Sequence, residues 1–140
     1  DFHNYKTKIA DKNITLQIWD TAGQERYQSL GKAFYRGSDA CILVYDITNE
    51  ETLTDLHQWI ETFSVNAGID KDQFTFSLVG NKCDLEDERV VTEKKLNKFL
   101  ENNVIPKERV YETSAQTGKN IEELFIECSQ SLLSSMSLNV

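Results

Sequence analysis

Three short stretches of this sequence carry residue types that could do chemistry together: Asp20-Thr21-Ala22-Gly23-Gln24, Asn81-Lys82-Cys83-Asp84 and Thr113-Ser114-Ala115-Gln116. An aspartate leaving a strand can hold a magnesium ion, directly or through water, and Gly23 would let a backbone N–H come close to a phosphate. Asn81 with Asp84 suits a purine. A carboxylate can accept two N–H bonds from the N1 and 2-amino positions of guanine, which adenine does not offer, and a buried carboxylate left unpaired is costly enough to reject the wrong base. Taken alone, Asp20 reads equally well as a turn residue that ends a strand.

The elements that must position these residues alternate along the chain. Phe2 to Ala10 and Ile14 to Asp20 read as an antiparallel hairpin around a turn Asp11-Lys12-Asn13. Cys41 to Tyr45 and Phe74 to Val79 are nearly continuous apolar runs, the pattern of strands covered on both faces. Leu53, Leu56, Ile60 and Phe63 recur at helical spacing between them. Thr92 is placed to cap a second helix with Leu96, Phe99 and Leu100 on its apolar side, followed by a strand from Val110 to Thr113. Asn120 and Glu123 have capping-box spacing before a last helix that lines up Ile121, Leu124, Phe125, Cys128 and Leu132. Strand-helix alternation implies an α/β fold with a mainly parallel sheet and right-handed crossovers. In such sheets ligands gather beyond the carboxyl ends of the strands, where all three stretches fall.

Composition bounds the function. With 140 residues, 39% hydrophobic and 27% charged, the chain suits one domain with one core. A net charge of −8 argues against broad binding to nucleic acid or an anionic membrane surface, both of which rely on clustered Lys and Arg. The odd set Cys41, Cys83 and Cys128 has no metal-ligand spacing and reads as reduced thiols of a cytosolic protein. His3 and His57 read as surface residues, and Glu86-Asp87-Glu88 as a solvated loop.

The segments "IWDTAGQERY", "FYRG", "LVYDIT", "NKCD" and "ETSA" occur in an order and at spacings that resemble the Rab branch of the Ras-superfamily small GTPases. "QSLGKAFYRGSDA" most resembles the late-endosomal Rabs, and the resemblance runs from Asp1 to about Leu133. It implies a P-loop NTPase-like α/β domain across residues 1–140 that switches between GTP and GDP with Mg²⁺. Asp20 would support the metal, Gly23 would donate its N–H to the γ-phosphate, and Gln24 would orient the attacking water. Asn81 and Asp84 would read guanine with the stem of Lys82 over the base, and the Ser114-Ala115 backbone would meet the guanine oxygen. Gln116 stands where the family usually has lysine, a modest loss where backbone groups do most of the work. Thr21 to Gly37 would be the second switch. Phe2, Trp19 and Tyr35 match the exposed aromatic triad by which Rab effectors read that switch, although Trp19 and Phe2 also fit the default of core aromatics. Exchange factors and activating proteins would complete the cycle in vesicle traffic, on endosomal membranes reached through a lipidated tail.

The sequence departs from that pattern in lacking G-x-x-x-x-G-K-[ST] and the first-switch threonine, and Asp1-Phe2 resembles the residues just after that switch. Three readings stay open: a segment of a Rab-type GTPase, a truncated interaction module that no longer switches, or a rearranged or swapped dimer. The usual first strand would lie between those ending at Asp20 and Asp46, so two strand edges are expected to lack partners, and without the usual first helix one sheet face is expected to be uncovered. Without the phosphate loop, the chain is expected neither to bind GTP tightly nor to hydrolyse it at a family rate.

Overall fold

The computed structural model describes residues 2–20, 35–71, 74–103 and 105–137. Its hairpin joins β1 (Phe2–Ile9) to β2 (Lys12–Trp19). The expected turn at Asp11-Lys12-Asn13 is corrected: Ala10 and Asp11 form it, with φ of 49° and 65°. Register explains the shift. The observed pairing sets Thr7 opposite Ile14 and Tyr5 opposite Leu16, gathering the apolar side chains on one face. A three-residue turn would slip the register by one and send half of them to the other face.

The second sheet is parallel, in the order β3 (Cys41–Asp46), β4 (Phe76–Asn81), β5 (Val110–Glu112). Among the described residues β3 pairs on one side only, in line with the expected unpartnered edge. Phe76 to Gly80 of β4 are all buried, which accounts for the continuous apolar run. The expectation that β3 is likewise covered on both faces is corrected. Leu43 and Tyr45 are buried, while Val44 on the other face is 53% exposed.

The helix α1 (Glu50–Ala67) buries Leu53, Leu56, Ile60 and Phe63, the four residues its spacing singled out. Each such side chain contributes roughly 1.5–3 kcal/mol when fully removed from water. Asn49 starts the helix by accepting the Glu51 N–H at 3.1 Å, and Gly68 ends it at φ 67°, a conformation that costs glycine little. Against α1 lie Leu43, Tyr45, Ile47, Phe76 and Leu78, and Phe63 meets the rings of Phe74 and Phe76 at 5.4 and 6.0 Å.

Thr92 caps α2 (Glu93–Asn103) as expected, its Oγ1 accepting the Lys95 N–H at 3.3 Å. His57 is exposed, and its Nδ1 lies 2.9 Å from Asn103 Oδ1, linking α1 to α2. The capping box expected at Asn120 is corrected: Asn120 lies at φ 61°, outside the extended backbone of an N-cap, and its Nδ2 donates to Glu112 O at 2.8 Å. Helix α3 (Ile121–Ser137) buries Leu124, Cys128 and Ser129, and Phe125 meets Tyr5 of β1 at 5.5 Å between ring centroids. Cys41, Cys83 and Cys128 carry free thiols, and burial pushes that of Cys41 up to about 12.

Candidate functional site

Parallel pairing brings the ends of three strands to one edge. Asp46 is opposite Asn81 in the register and Gly80 is opposite Glu112, so the loops after β3, β4 and β5 leave the sheet together. Two of these loops hold the sequence-predicted base residues. Asn81 ends β4, Lys82 follows at φ 66°, and Asp84 lies in the 3-10 helix Cys83–Glu88. Ser114, Ala115 and Gln116 follow β5, with Ser114 fully buried and the other two exposed.

Side-chain hydrogen bonds lock the two loops together. Asn81 Oδ1 accepts from Thr113 Oγ1 at 3.2 Å and from the Ala115 N–H at 3.1 Å. Its carbonyl oxygen is thereby spent on the protein, leaving Nδ2 to donate to a purine ring nitrogen. Asp84 Oδ1 accepts from Ser114 Oγ at 2.8 Å, and its second oxygen retains acceptor capacity for a base. The backbone adds Cys83 N–H to Thr113 O at 3.0 Å and Thr113 N–H to Gly80 O at 2.8 Å. A base oxygen at Ala115 would share an N–H that Asn81 already engages, since the Ser114 N–H donates to Lys119 O.

Sequence reasoning missed two groups that hold this site. Arg89, whose neighbours read as a solvated acidic loop, gives Nη1 and Nη2 to the Glu112 carboxylate at 2.8 and 2.7 Å. Its Nε and Nη2 also reach Glu86 at 2.8 Å, while Glu86 stays exposed, in keeping with the solvated-loop reading. The hydrogen bonds that Arg89 donates to Glu112 and then to Glu86 raise its pKa, holding the guanidinium charged. Only the i, i+3 spacing of Glu86 and Arg89 was a signal, and a weak one. Replacing Arg89 with methionine should cost about 1–2 kcal/mol through the Glu112 pair, allowing for its partial exposure. Faster hydrogen exchange at the Thr113 and Ser114 amides is the expected companion, and unchanged exchange would count against the clamp.

The other group is Asp46, which accepts from Thr48 through both N–H and Oγ1, at 2.8 and 2.7 Å, and pairs with Lys82 Nζ at 2.8 Å. Burial works to raise its carboxyl, but hydrogen bonds from Lys82 and Thr48 and the Lys82 charge outweigh that and hold it below the usual carboxylate range. The only sequence signal was Asp-Ile-Thr, an Asx-turn pattern after a strand.

The phosphate side is described in part. Asp20 follows β2 and is exposed, whereas Gly23 and Gln24, with the rest of residues 21–34 of the expected switch, lie outside the described residues. Among the described residues no group of three or more His, Cys, Asp or Glu could hold a metal, and the exposed Asp20 carboxylate by itself is of the oxygen-donor type that Mg²⁺ takes beside water and phosphate. Of the expected triad, Phe2 and Trp19 are 43% and 49% exposed and face each other across the hairpin at 4.7 Å. The exposure expected of Tyr35 is corrected: it is 8% exposed, packed on Phe63 at 5.3 Å. Core space beside α1 captures this ring, as apolar burial favours.

Comparison with known proteins agrees with the strand-end motifs. The model of the Ras family matches residues 1–134. The chain is 47% identical over 129 residues to Ras-related protein RABG3f of Arabidopsis thaliana, covering 89% of this chain and 61% of that protein. It is 45% identical over 127 residues to Ras-related protein Rab-7a of Dictyostelium discoideum, with 89% and 61% covered. With Ras-related protein Rab7 of Drosophila melanogaster it is 45% identical over 126 residues, with 89% and 59% covered. The chain thus spans about three fifths of the length of these relatives. With this family match across nearly its whole length, the chain belongs to the Ras family, as a small-GTPase domain of the Rab kind similar to Rab7 and RABG3 proteins.

Proposed function

We propose that this domain reads guanine nucleotide in a switch that directs vesicle traffic, at late endosomes in the protein to which it belongs. The observation that carries the reading is the double lock of Asn81 to Thr113 and Ala115 and of Asp84 to Ser114. It fixes a donor and a carboxylate before a base arrives, so little ordering remains to be done on binding. Lys82 would flank the base, and the exposed Gln116 would leave recognition to the Asp84 carboxylate and the loop backbone.

Around the phosphates, Asp20 would hold Mg²⁺, which when bound offsets charge on the β- and γ-oxygens. Gly23 would present its N–H to the γ-phosphate and Gln24 would orient the attacking water. Phe2 and Trp19 would offer a rigid aromatic surface to effectors, with Tyr35 supporting the segment from the core. Exchange factors and activating proteins would act on the same switch, and membrane attachment would come through a lipidated tail.

None of the 140 residues forms a G-x-x-x-x-G-K-[ST] loop, so these phosphate contacts make one side of a site. The chain by itself should prefer GMP over AMP yet gain little from added phosphates and Mg²⁺. Titrations of the chain with AMP, GMP and GTP·Mg²⁺ measure this, and either tight GTP·Mg²⁺ binding or indifference to the base would defeat the reading. The exposed Phe2–Trp19 pair favours one second reading, an interaction module without GTPase activity. Retained effector binding with no base preference would select it, and a dimeric molar mass in solution would favour a rearranged or swapped dimer.

A further inference from the structure

We infer that Asp46 is a positioning residue of the base site: it tethers the Lys82 ammonium so that the lysine stem lies fixed beside Asn81 and Asp84. This rests on the guanine reading above.

The loop after β3 holds no residue that the family motifs assign to the nucleotide, yet it is stitched to both ends of the base loop. The Ile47 N–H donates to Asn81 O at 3.2 Å, and Ile47 O accepts from the N–H groups of Val90 and Val91 at 2.9 and 3.1 Å. Ile47 itself is fully buried. Within the loop the Asp46 carboxylate is set before Lys82 reaches it. Its Oδ1 takes both Thr48 donors, and the Asp46 N–H donates to Thr52 Oγ1 at 2.9 Å. Oδ2 is left for Lys82 Nζ.

Lys82 is half-exposed and lies between the two residues that read the base. A lysine at φ 66° is held in a backbone region that side chains with a Cβ rarely adopt, and an untethered stem would sample many rotamers. With its tip fixed on a rigid carboxylate, the four methylenes form an apolar rail along which a flat purine can lie. An exposed ion pair contributes little to stability in general, so the expected signature of this one is orientation of Lys82 and not folding energy.

Asp46→Asn keeps Oδ1 as acceptor for Thr48 and removes the charge that holds Lys82. In the ligand-free chain, NMR of the Lys82 side chain should show an ordered stem that becomes mobile in D46N with the melting temperature nearly unchanged. GMP affinity of the chain should fall up to about tenfold in D46N, the size of the rotamer entropy that base binding must then take from the untethered Lys82 stem. Lys82→Met leaves the Asp46–Thr48 turn intact and keeps the question answerable if D46N disturbs the loop. The double variant should be no weaker for GMP than the weaker single one, because both remove the same tether. Losses that multiply, or GMP binding in D46N within twofold of the parent, would overturn the role of Asp46 alone. A parent chain with no preference for GMP over AMP would instead overturn the guanine reading, and this role with it, even where Lys82 proves ordered.

Discussion

Replacing Asp84 with asparagine should erase the preference of the chain for GMP over AMP. The carboxylate offers two acceptor oxygens; Ser114 Oγ–H occupies one at 2.8 Å, leaving the other for the proposed guanine contact. Asparagine keeps one acceptor and turns the other position into a donor, which meets the guanine N1–H or 2-amino group donor to donor. Hydrogen bonds to a charged group contribute about 1.5–3 kcal/mol each, so the ratio of GMP to AMP affinity should fall from more than about tenfold to near unity. Base titrations followed by amide shifts at Asn81 and Ala115 read the ratio. A D84N chain that still prefers GMP would place base recognition elsewhere.

Gly80→Ala should destabilise the sheet through a single added methyl group. A Cβ at Gly80 would stand 2.7 Å from the Tyr45 hydroxyl, 2.8 Å from its Cζ and 3.1 Å from Ile47 Cγ2. Tyr45 is 2% exposed and Ile47 is fully buried, so neither can swing into solvent. Overpacking of this kind costs about 1–3 kcal/mol, and the strain would fall next to Asn81 and on the loop of Ile47. Equilibrium denaturation in urea gives the number, and a G80A chain as stable as its parent would show the contact to be soft. Tyr45 supplies the internal control. Its hydroxyl is buried with no hydrogen-bond partner among the described residues, and burial, with the nearby Glu112 charge, pushes its pKa up to about 12. Tyr45→Phe removes that orphaned oxygen and should be neutral or stabilising. It should also relieve G80A in part, because the nearest atom goes while the ring carbon stays.

Much of the fold was legible because its signals are local. The spacing of Leu53, Leu56, Ile60 and Phe63 already specified the buried face of α1, and Thr92 marked the start of α2. The continuous run in β4 was an equally direct sign of a strand buried on both faces. Val44, in a run of similar composition, carries no local sign that its face is open; only the family resemblance, with its first helix unmatched here, gave reason to expect an uncovered face. Tyr35 likewise looks the same in sequence whether it faces a partner or Phe63.

The sequence by itself determined the strand and helix order and the three strand ends proposed for base and phosphate chemistry, for these depend on side-chain type and on periods of two or 3.6 residues. Tertiary structure alone decided the turn at Ala10-Asp11, the lock between Asp84 and Ser114, the Arg89 clamp on Glu112 and the tether of Lys82 to Asp46. Each joins groups whose partners are chosen by sheet register and loop packing, which bring distant residues within hydrogen-bond reach and leave no local pattern along the chain.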